Sequence, residues 1–158
     1  MSTPITVRVQ SEDFDLGREI QNLTEHNHDL GAVASFVGLC RDENQTLEAL
    51  ELEHYPGMAE TQIEKIALAA TQRWPIDGLT VVHRVGKIPV GGQIVMVVVT
   101  SRQRDAAFDG ARFIMDYLKT DAPFWKKEHR LDESAGGWVS ARDEDETAKT
   151  KWDAVSQN

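Results

Sequence analysis

The chain has 158 residues, with 17 Lys and Arg against 26 Asp and Glu, and its formal net charge is -9. This acidic balance opposes broad binding to nucleic acid, because the phosphate backbone of DNA or RNA would be repelled. A composition of 41% hydrophobic and 27% charged residues is typical of a globular protein rather than a disordered chain. The length predicts one domain with a substantial core.

The number of cysteines and the first residues of the chain restrict further which class of protein this is. Cys40 is the one cysteine in the sequence, which excludes an intramolecular disulfide and a cysteine-rich metal site. Residues 1–9 lack the basic and apolar regions of a signal peptide. The longest unbroken aliphatic run, residues 94–99, is too short to span a bilayer. We therefore expect a cytoplasmic protein that binds neither nucleic acid nor membrane.

The first half of the chain predicts three strands and two helices. Residues 5–9 and 47–55 alternate apolar and polar side chains, as half-buried strands do. Residues 31–39 are also strand-like. Helical spacing of apolar residues predicts one helix over residues 15–25 and a second over residues 58–74.

The second half begins with two strands, over residues 79–85 and 93–100, joined by a loop that contains Pro89. The second of these strands is apolar on both faces, so we expect it to be central and covered by helices. Strands and helices alternate irregularly and the strands favour hairpins. The predicted fold class is therefore α+β, mostly antiparallel, rather than a doubly wound parallel sheet.

The segment from Thr100 to Arg130 carries the clearest helix. Its apolar face is predicted to consist of Phe108, Ala111, Met115 and Leu118, widened by Ile114. Pro123 cannot continue a helix, and a hairpin with arms at 124–131 and 138–141 is expected to follow. We take residues 1–142 as one domain and residues 143–158 as a polar, solvated tail.

Cations are concentrated around this helix in an otherwise acidic protein. They precede it at Arg102 and Arg104 and follow it at Lys119, Lys126 and Lys127. Two interpretations stay open at this point. On residue pattern a solvated basic face is favoured, because exposed charges usually bind nothing specific; the alternative is a pocket for an anion.

Cys40 also has two interpretations. Its position beside Arg41 could stabilise a thiolate that acts as a nucleophile or carries a persulfide. A lone cysteine is more commonly a small hydrophobic residue in the core, and this second interpretation is favoured.

Four short motifs together resemble one known family. They are LELEHYPGMAE at 50–60, RWP at 73–75, VVHRVG at 81–86 and FIMDYLKTDAPFWKKE at 113–128. In this order and over residues 31–142, they are similar to the MoaE family, the large subunits of molybdopterin synthase. The resemblance favours the anion pocket over the solvated basic face.

The resemblance implies a fold, partners and a reaction. Members of this family have an α/β-hammerhead fold and form a central homodimer with a small ubiquitin-like subunit at each end, which makes a heterotetramer. The small subunit carries a C-terminal Gly-Gly thiocarboxylate and delivers sulfur to cyclic pyranopterin monophosphate, which yields the molybdopterin dithiolene after two transfers. The large subunit is expected to bind no metal and no cofactor.

The resemblance also assigns residues. Lys119 and Lys126 correspond to the catalytic lysines of the family. The implied substrate-binding residues are Leu39, Cys40, Arg41, Gln103, Arg104, Lys127, Glu128 and Arg142, the last of which reaches the pocket of the other protomer.

Gln103 departs from the family pattern, which has histidine at this position. Glutamine can hydrogen-bond to a substrate, but it cannot carry a proton near neutral pH as histidine can. This substitution is the one feature that favours a second function, a non-catalytic module that binds the tail of a ubiquitin-like partner with Phe124 and Trp125 as anchors. A third function, persulfide transfer by Cys40, would require that thiol to be reactive.

Overall fold

The computed structural model describes residues 3–131, the backbone of residues 135–138, and Trp152. This part of the chain contains three α-helices, a short 3-10 helix at Glu43–Gln45 and eight strands, and the strands form two sheets. In chain order the elements are β1 (Ile5–Gln10), α1 (Leu16–Thr24), β2 (Ala32–Leu39), β3 (Leu47–His54), α2 (Met58–Arg73), β4 (Gly78–Arg84), β5 (Gly86–Pro89), β6 (Gln93–Ser101), α3 (Arg104–Asp121), β7 (Phe124–Arg130) and β8 (Ala135–Trp138).

The first sheet has the strand order β1-β4-β6-β2. Strand β6 pairs antiparallel with both β4 and β2, whereas β1 pairs parallel with β4. The valines at positions 97, 98 and 99 in β6 have no exposed surface. Helices α2 and α3 cover one face of this sheet and α1 covers the other. The prediction of a central strand apolar on both faces is confirmed.

The second sheet has the order β5-β3-β7-β8, with every pair antiparallel. Strand β5 lies inside the predicted loop; its four residues are too few to show an alternating pattern. The C-terminal hairpin is present as β7 and β8. Its second arm lies at residues 135–138, three residues earlier than predicted, and residues 139–141 of the predicted arm lie outside the described residues.

Helix α3 ends before Pro123, as predicted, but its apolar face is rotated. Ala111, Ile114, Met115 and Leu118 are buried as expected, whereas Phe108 is 66% exposed. The centre of the buried stripe lies on the side of Ala111 and Leu118 that faces away from Phe108. The stripe there includes Ala107, Gly110 and Phe113. Small residues at positions 107 and 110 let the helix approach the sheet closely, and this packing leaves Phe108 at the edge of the stripe.

Trp152 departs from the prediction of a solvated tail. Its indole is buried among Trp74 and Phe113, with ring centroids 5.6 and 5.8 Å away. The indole N–H donates to a carboxylate oxygen of Asp116, and Arg73 donates to the main-chain carbonyl of Trp152 at 3.4 Å. At this residue the C-terminal segment is part of the core. The division into a domain and a tail stays a prediction.

The α+β class is confirmed, since two mostly antiparallel sheets pack with the helices. None of the helices in the described part of the chain combines the length and the apolar composition needed to cross a membrane.

Candidate active site

A pocket opens where the end of α3 meets strands of both sheets. Most of its wall is apolar, and three side chains carry nitrogen atoms into it. The lining residues are Gly38, Leu39, His83, Ile94, Val95, Met115, Leu118, Lys119, Ala122, Phe124 and Lys126.

The turn between α3 and β7 brings the two catalytic candidates together. Lys119 lies in the last turn of α3, where its charge complements the negative end of the helix dipole. Ala122 is extended, with φ -73° and ψ 131°, as expected for a residue before proline. Strand β7 then begins at Phe124. Lys119 and Lys126, seven residues apart, therefore line the same pocket, one from a helix and one from a strand.

Strand alternation separates Lys126 from Lys127. Lys126 pairs with the buried Leu52 of β3, and Lys127 pairs with Glu51. Because successive side chains of a strand point to opposite faces, Lys126 points towards the pocket and Lys127 points away from it. Lys127 is exposed on that outer face.

Glu128 shares a sheet face with Lys126 but is not among the residues that line the pocket. Its carboxylate accepts a hydrogen bond from Arg130 at 2.7 Å. The predicted substrate role of Glu128 stays a prediction.

His83 of β4 also contributes to the pocket. Its ring stacks on Phe124 with centroids 3.8 Å apart and planes inclined by 13°. Nδ1 donates to the main-chain carbonyl of Arg84 at 2.8 Å. Burial, together with the smaller effects of Lys126, Lys119 and His54, lowers the pKa of His83 to about 4, against the opposing effect of that hydrogen bond.

A signal for His83 was present in the sequence. It lies two residues after Val81, on the same face of β4. Val81 belongs to the core beneath α2 and α3. A histidine that continues this face at a strand end points towards the C-terminal end of α3, which is where the pocket lies.

Leu39, Cys40 and Arg41 differ in their positions. Leu39 lines the pocket and is 57% exposed. Cys40 is 1% exposed and packs with Leu47, Leu52 and Ile88. Burial raises the pKa of the Cys40 thiol, which opposes formation of a thiolate.

Arg41 follows on the exposed side and is not one of the pocket-lining residues. The positions of Cys40 and Arg41 favour the interpretation of Cys40 as a small core residue over that of a nucleophile.

Gln103 and Arg104 lie at the opposite end of α3 from Lys119. Gln103 is the residue that caps the helix, and its backbone N–H donates to the hydroxyl of Ser101 at 3.1 Å. Arg104 and Lys119 are 15 positions apart in α3, or roughly 22 Å at 1.5 Å per residue. Within one chain these residues do not form one pocket. Arg142 lies outside the described residues.

Two lysines above an apolar pocket can bind an anion and stabilise negative charge as it develops. Within the described ranges, no group of three or more His, Cys, Asp or Glu side chains has an arrangement that could hold a metal ion.

Comparison with known proteins gives a consistent result. A sequence model described as "MoaE protein" matches residues 9–121. The molybdopterin synthase catalytic subunit of Mesorhizobium japonicum is 59% identical over 152 residues, which cover 96% of each chain. The solved molybdopterin cofactor biosynthesis protein E of Burkholderia multivorans is 52% identical, with a TM-score of 0.81 over 95% of this chain and 97% of that one.

A more distant structure shares the fold. It is the complex of subunits 1 and 2 of the molybdopterin-converting factor from Helicobacter pylori, in which the matched chain is 20% identical. The TM-score is 0.65, over 88% of this chain and 90% of that one. With the family match and the relatives of similar length, these findings establish that the chain belongs to the MoaE family, whose curated relatives are molybdopterin synthase catalytic subunits.

Proposed function

We propose that this chain is the catalytic, large subunit of a molybdopterin synthase. It transfers sulfur from the thiocarboxylated C-terminus of a small ubiquitin-like subunit to cyclic pyranopterin monophosphate. The observation that carries the proposal is the convergence of Lys119 and Lys126 on one apolar pocket in a member of the MoaE family.

The sulfur of the thiocarboxylate is the nucleophile, so the chain needs no reactive thiol. A C–S bond forms on the pterin side chain while a C–O bond breaks. Lys119 protonates the departing oxygen or stabilises its charge, and Lys126 neutralises the anionic adduct. Water then cleaves the sulfur–acyl bond, which leaves a carboxylate on the small subunit and sulfur on the pterin.

The small subunit is the proposed partner because the related Helicobacter pylori structure is a complex of two subunits. Leu39 lines the pocket and is 57% exposed, so it is available to contact a partner there. Trp125 is 49% exposed, on the face of β7 that it shares with Lys127 and that points away from the pocket. Phe124 is stacked on His83 instead, so it is a part of the pocket wall rather than a surface anchor. This difference weakens the alternative of a non-catalytic module that uses both aromatic residues as anchors.

The length of α3 supports a homodimer within the proposed heterotetramer. Arg104 and Gln103 lie too far from Lys119 to serve the same pocket of one protomer. If both ends of α3 contact one substrate, the second protomer must supply the Gln103 end. We propose this arrangement, with Gln103 as a hydrogen-bonding residue that replaces the family histidine, and a cytoplasmic location for the assembly.

Reconstitution tests the proposal. The purified chain is mixed with a thiocarboxylated small subunit and cyclic pyranopterin monophosphate, and molybdopterin is measured by mass spectrometry. We expect product from the wild type, from Cys40→Ala and from Lys65→Ala, which removes an exposed lysine of α2. Lys119→Ala should form almost none.

The controls separate the three functions. Binding of the small subunit without product in the wild type would favour the binding module. Loss of product in Cys40→Ala, with the fold retained, would favour persulfide transfer.

A further inference from the structure

His83 has no role in the reaction as described above, yet it lies in the pocket wall beside both lysines. Among the described residues that line the pocket, the polar side chains are His83, Lys119 and Lys126. A lysine ammonium donates hydrogen bonds and accepts none, whereas a neutral imidazole has one nitrogen that accepts. His83 is therefore the strong side-chain acceptor of this lining.

The hydrogen bond to Arg84 decides which nitrogen accepts. A carbonyl oxygen cannot donate, so Nδ1 carries the proton and Nε2 carries the lone pair. Across the described chain, Nε of Arg8 is the one side-chain nitrogen or oxygen that is sealed from solvent without a partner. Nε2 of His83 is therefore not sealed in the core, and the space that its ring borders is the pocket.

The surroundings keep this acceptor neutral. The ring is buried and stacked on Phe124, which also fixes its orientation. The charged and titratable groups that face it are Lys119 from α3, Lys126 from β7 and His54 from β3. All of these oppose a positive charge on His83, so the lone pair is present throughout the neutral pH range.

We propose that His83 is a substrate-binding residue of this pocket, whose Nε2 accepts a hydrogen bond from an N–H or O–H group of the pterin. The inference rests on the proposed function for the identity of the substrate. Two lysines would bind the anionic part of the substrate, and His83 would select the orientation that places a donor group of the heterocycle against Nε2. An anion without such a donor would bind without this contact.

Two substitutions at His83 separate hydrogen bonding from packing. His83→Phe keeps an aromatic ring against Phe124 but removes the acceptor. His83→Gln brings an amide oxygen close to the place of Nε2 and loses the ring. His54→Phe is the matched control, because His54 also lies beside Phe124, at 6.3 Å, but does not line the pocket.

The measurement is the Kd of cyclic pyranopterin monophosphate by calorimetry, together with kcat and KM in the reconstituted assay and the thermal midpoint of each variant. We expect His83→Phe to raise Kd and KM about tenfold, the usual effect of one lost neutral hydrogen bond. His83→Gln should stay within about threefold of the wild type, and His54→Phe should match it. Binding of the small subunit should be unchanged.

Three outcomes would overturn the inference. The first is a His83→Phe variant that keeps the wild-type Kd. The second is an equal loss of affinity in His83→Phe and His83→Gln, which would indicate a packing role. The third is a wild type that does not bind the pterin, which also removes the proposed function; a wild type that binds it without turnover removes the proposed chemistry but leaves the test of His83 intact.

Discussion

Polar or basic residues lie at both ends of α3, but the two ends differ in their position relative to the pocket. At the C-terminal end Lys119 meets strands of both sheets and borders a pocket, with Lys126 and His83 beside it. At the N-terminal end Gln103 and Arg104 are exposed and outside the described pocket lining. The comparison shows that a cluster of cations in sequence need not be one site in space, because a helix of 18 residues holds its ends far apart.

Substitutions at the two ends of α3 are expected to have the largest effect on activity. Lys119→Ala should lower kcat by about a hundredfold or more, because one group supplies proton transfer or charge stabilisation. Arg104→Ala should lower turnover through substrate binding, chiefly by raising KM.

Mixing these two variants sharpens the comparison. If the ends of α3 from two protomers complete one pocket, a mixed dimer contains one intact site, and random mixing should restore about a quarter of wild-type activity. No recovery in a mixture shown by native mass spectrometry to contain mixed dimers would contradict shared sites.

Strand β7 offers a second comparison, because one of its faces points towards the pocket and the other points away from it. Lys126→Ala should reduce kcat/KM by about tenfold to a hundredfold, whereas Lys127→Ala should reduce it by less than about threefold. Steady-state kinetics at fixed ionic strength would measure both. Equal losses in the two variants would mean that the alternation of β7 does not decide which lysine contacts the substrate.

His83, which lies in the pocket at the C-terminal end of α3, should also make the free energy of unfolding depend on pH. The pKa of His83 falls from 6.5 to about 4 on folding, so between these values the unfolded chain holds a proton that the folded chain lacks. Stability should therefore fall as the pH falls from about 6.5 to 4, by about 3 kcal/mol from this group. Urea unfolding at several pH values should show a smaller decrease in His83→Phe than in the wild type.

The smallest expected effect comes from a glycine of β2 in the pocket wall. A Cβ atom at Gly38 would lie 2.9 Å from a methyl group of Val95, and both residues line the pocket. Gly38→Ala should displace Val95 and reduce turnover severalfold with little change in the thermal midpoint. Gly17→Ala is a suitable control, since its nearest contact is the Asp15 carboxylate at an ordinary 3.4 Å.

The sequence was sufficient for the elements with a strong period. The central strand at 93–100 and the helix ended by Pro123 were predictable because apolar runs and proline act locally. Strand β5 was missed since four residues carry no period. The face of α3 was misjudged at Phe108 because the small residues at positions 107 and 110 decided which side of the helix approached the sheet.

The site was predictable in part. Lys119 and Lys126 were identified through the family motif, and the structure places both in one pocket. The separation of Lys127 from Lys126 follows from strand alternation, which becomes decisive only when the strand position is known. His83 was not identified: its alternation with Val81 places it on the core face of β4, but which elements cover that face depends on packing between β4, α3 and β7, which are distant in sequence.

Because Trp152 is buried against residues made much earlier, part of the core stays incomplete while the chain is synthesised. Arg73 and Trp74 contact a residue made nearly eighty positions later, and at about 5–20 residues per second this corresponds to roughly 4 to 16 seconds of translation. During that interval the aromatic face of Trp74, joined by that of Phe113 once this residue has been made, lacks the ring of Trp152. The nascent chain therefore exposes an aromatic surface between α2 and α3 that the finished protein covers with Trp152.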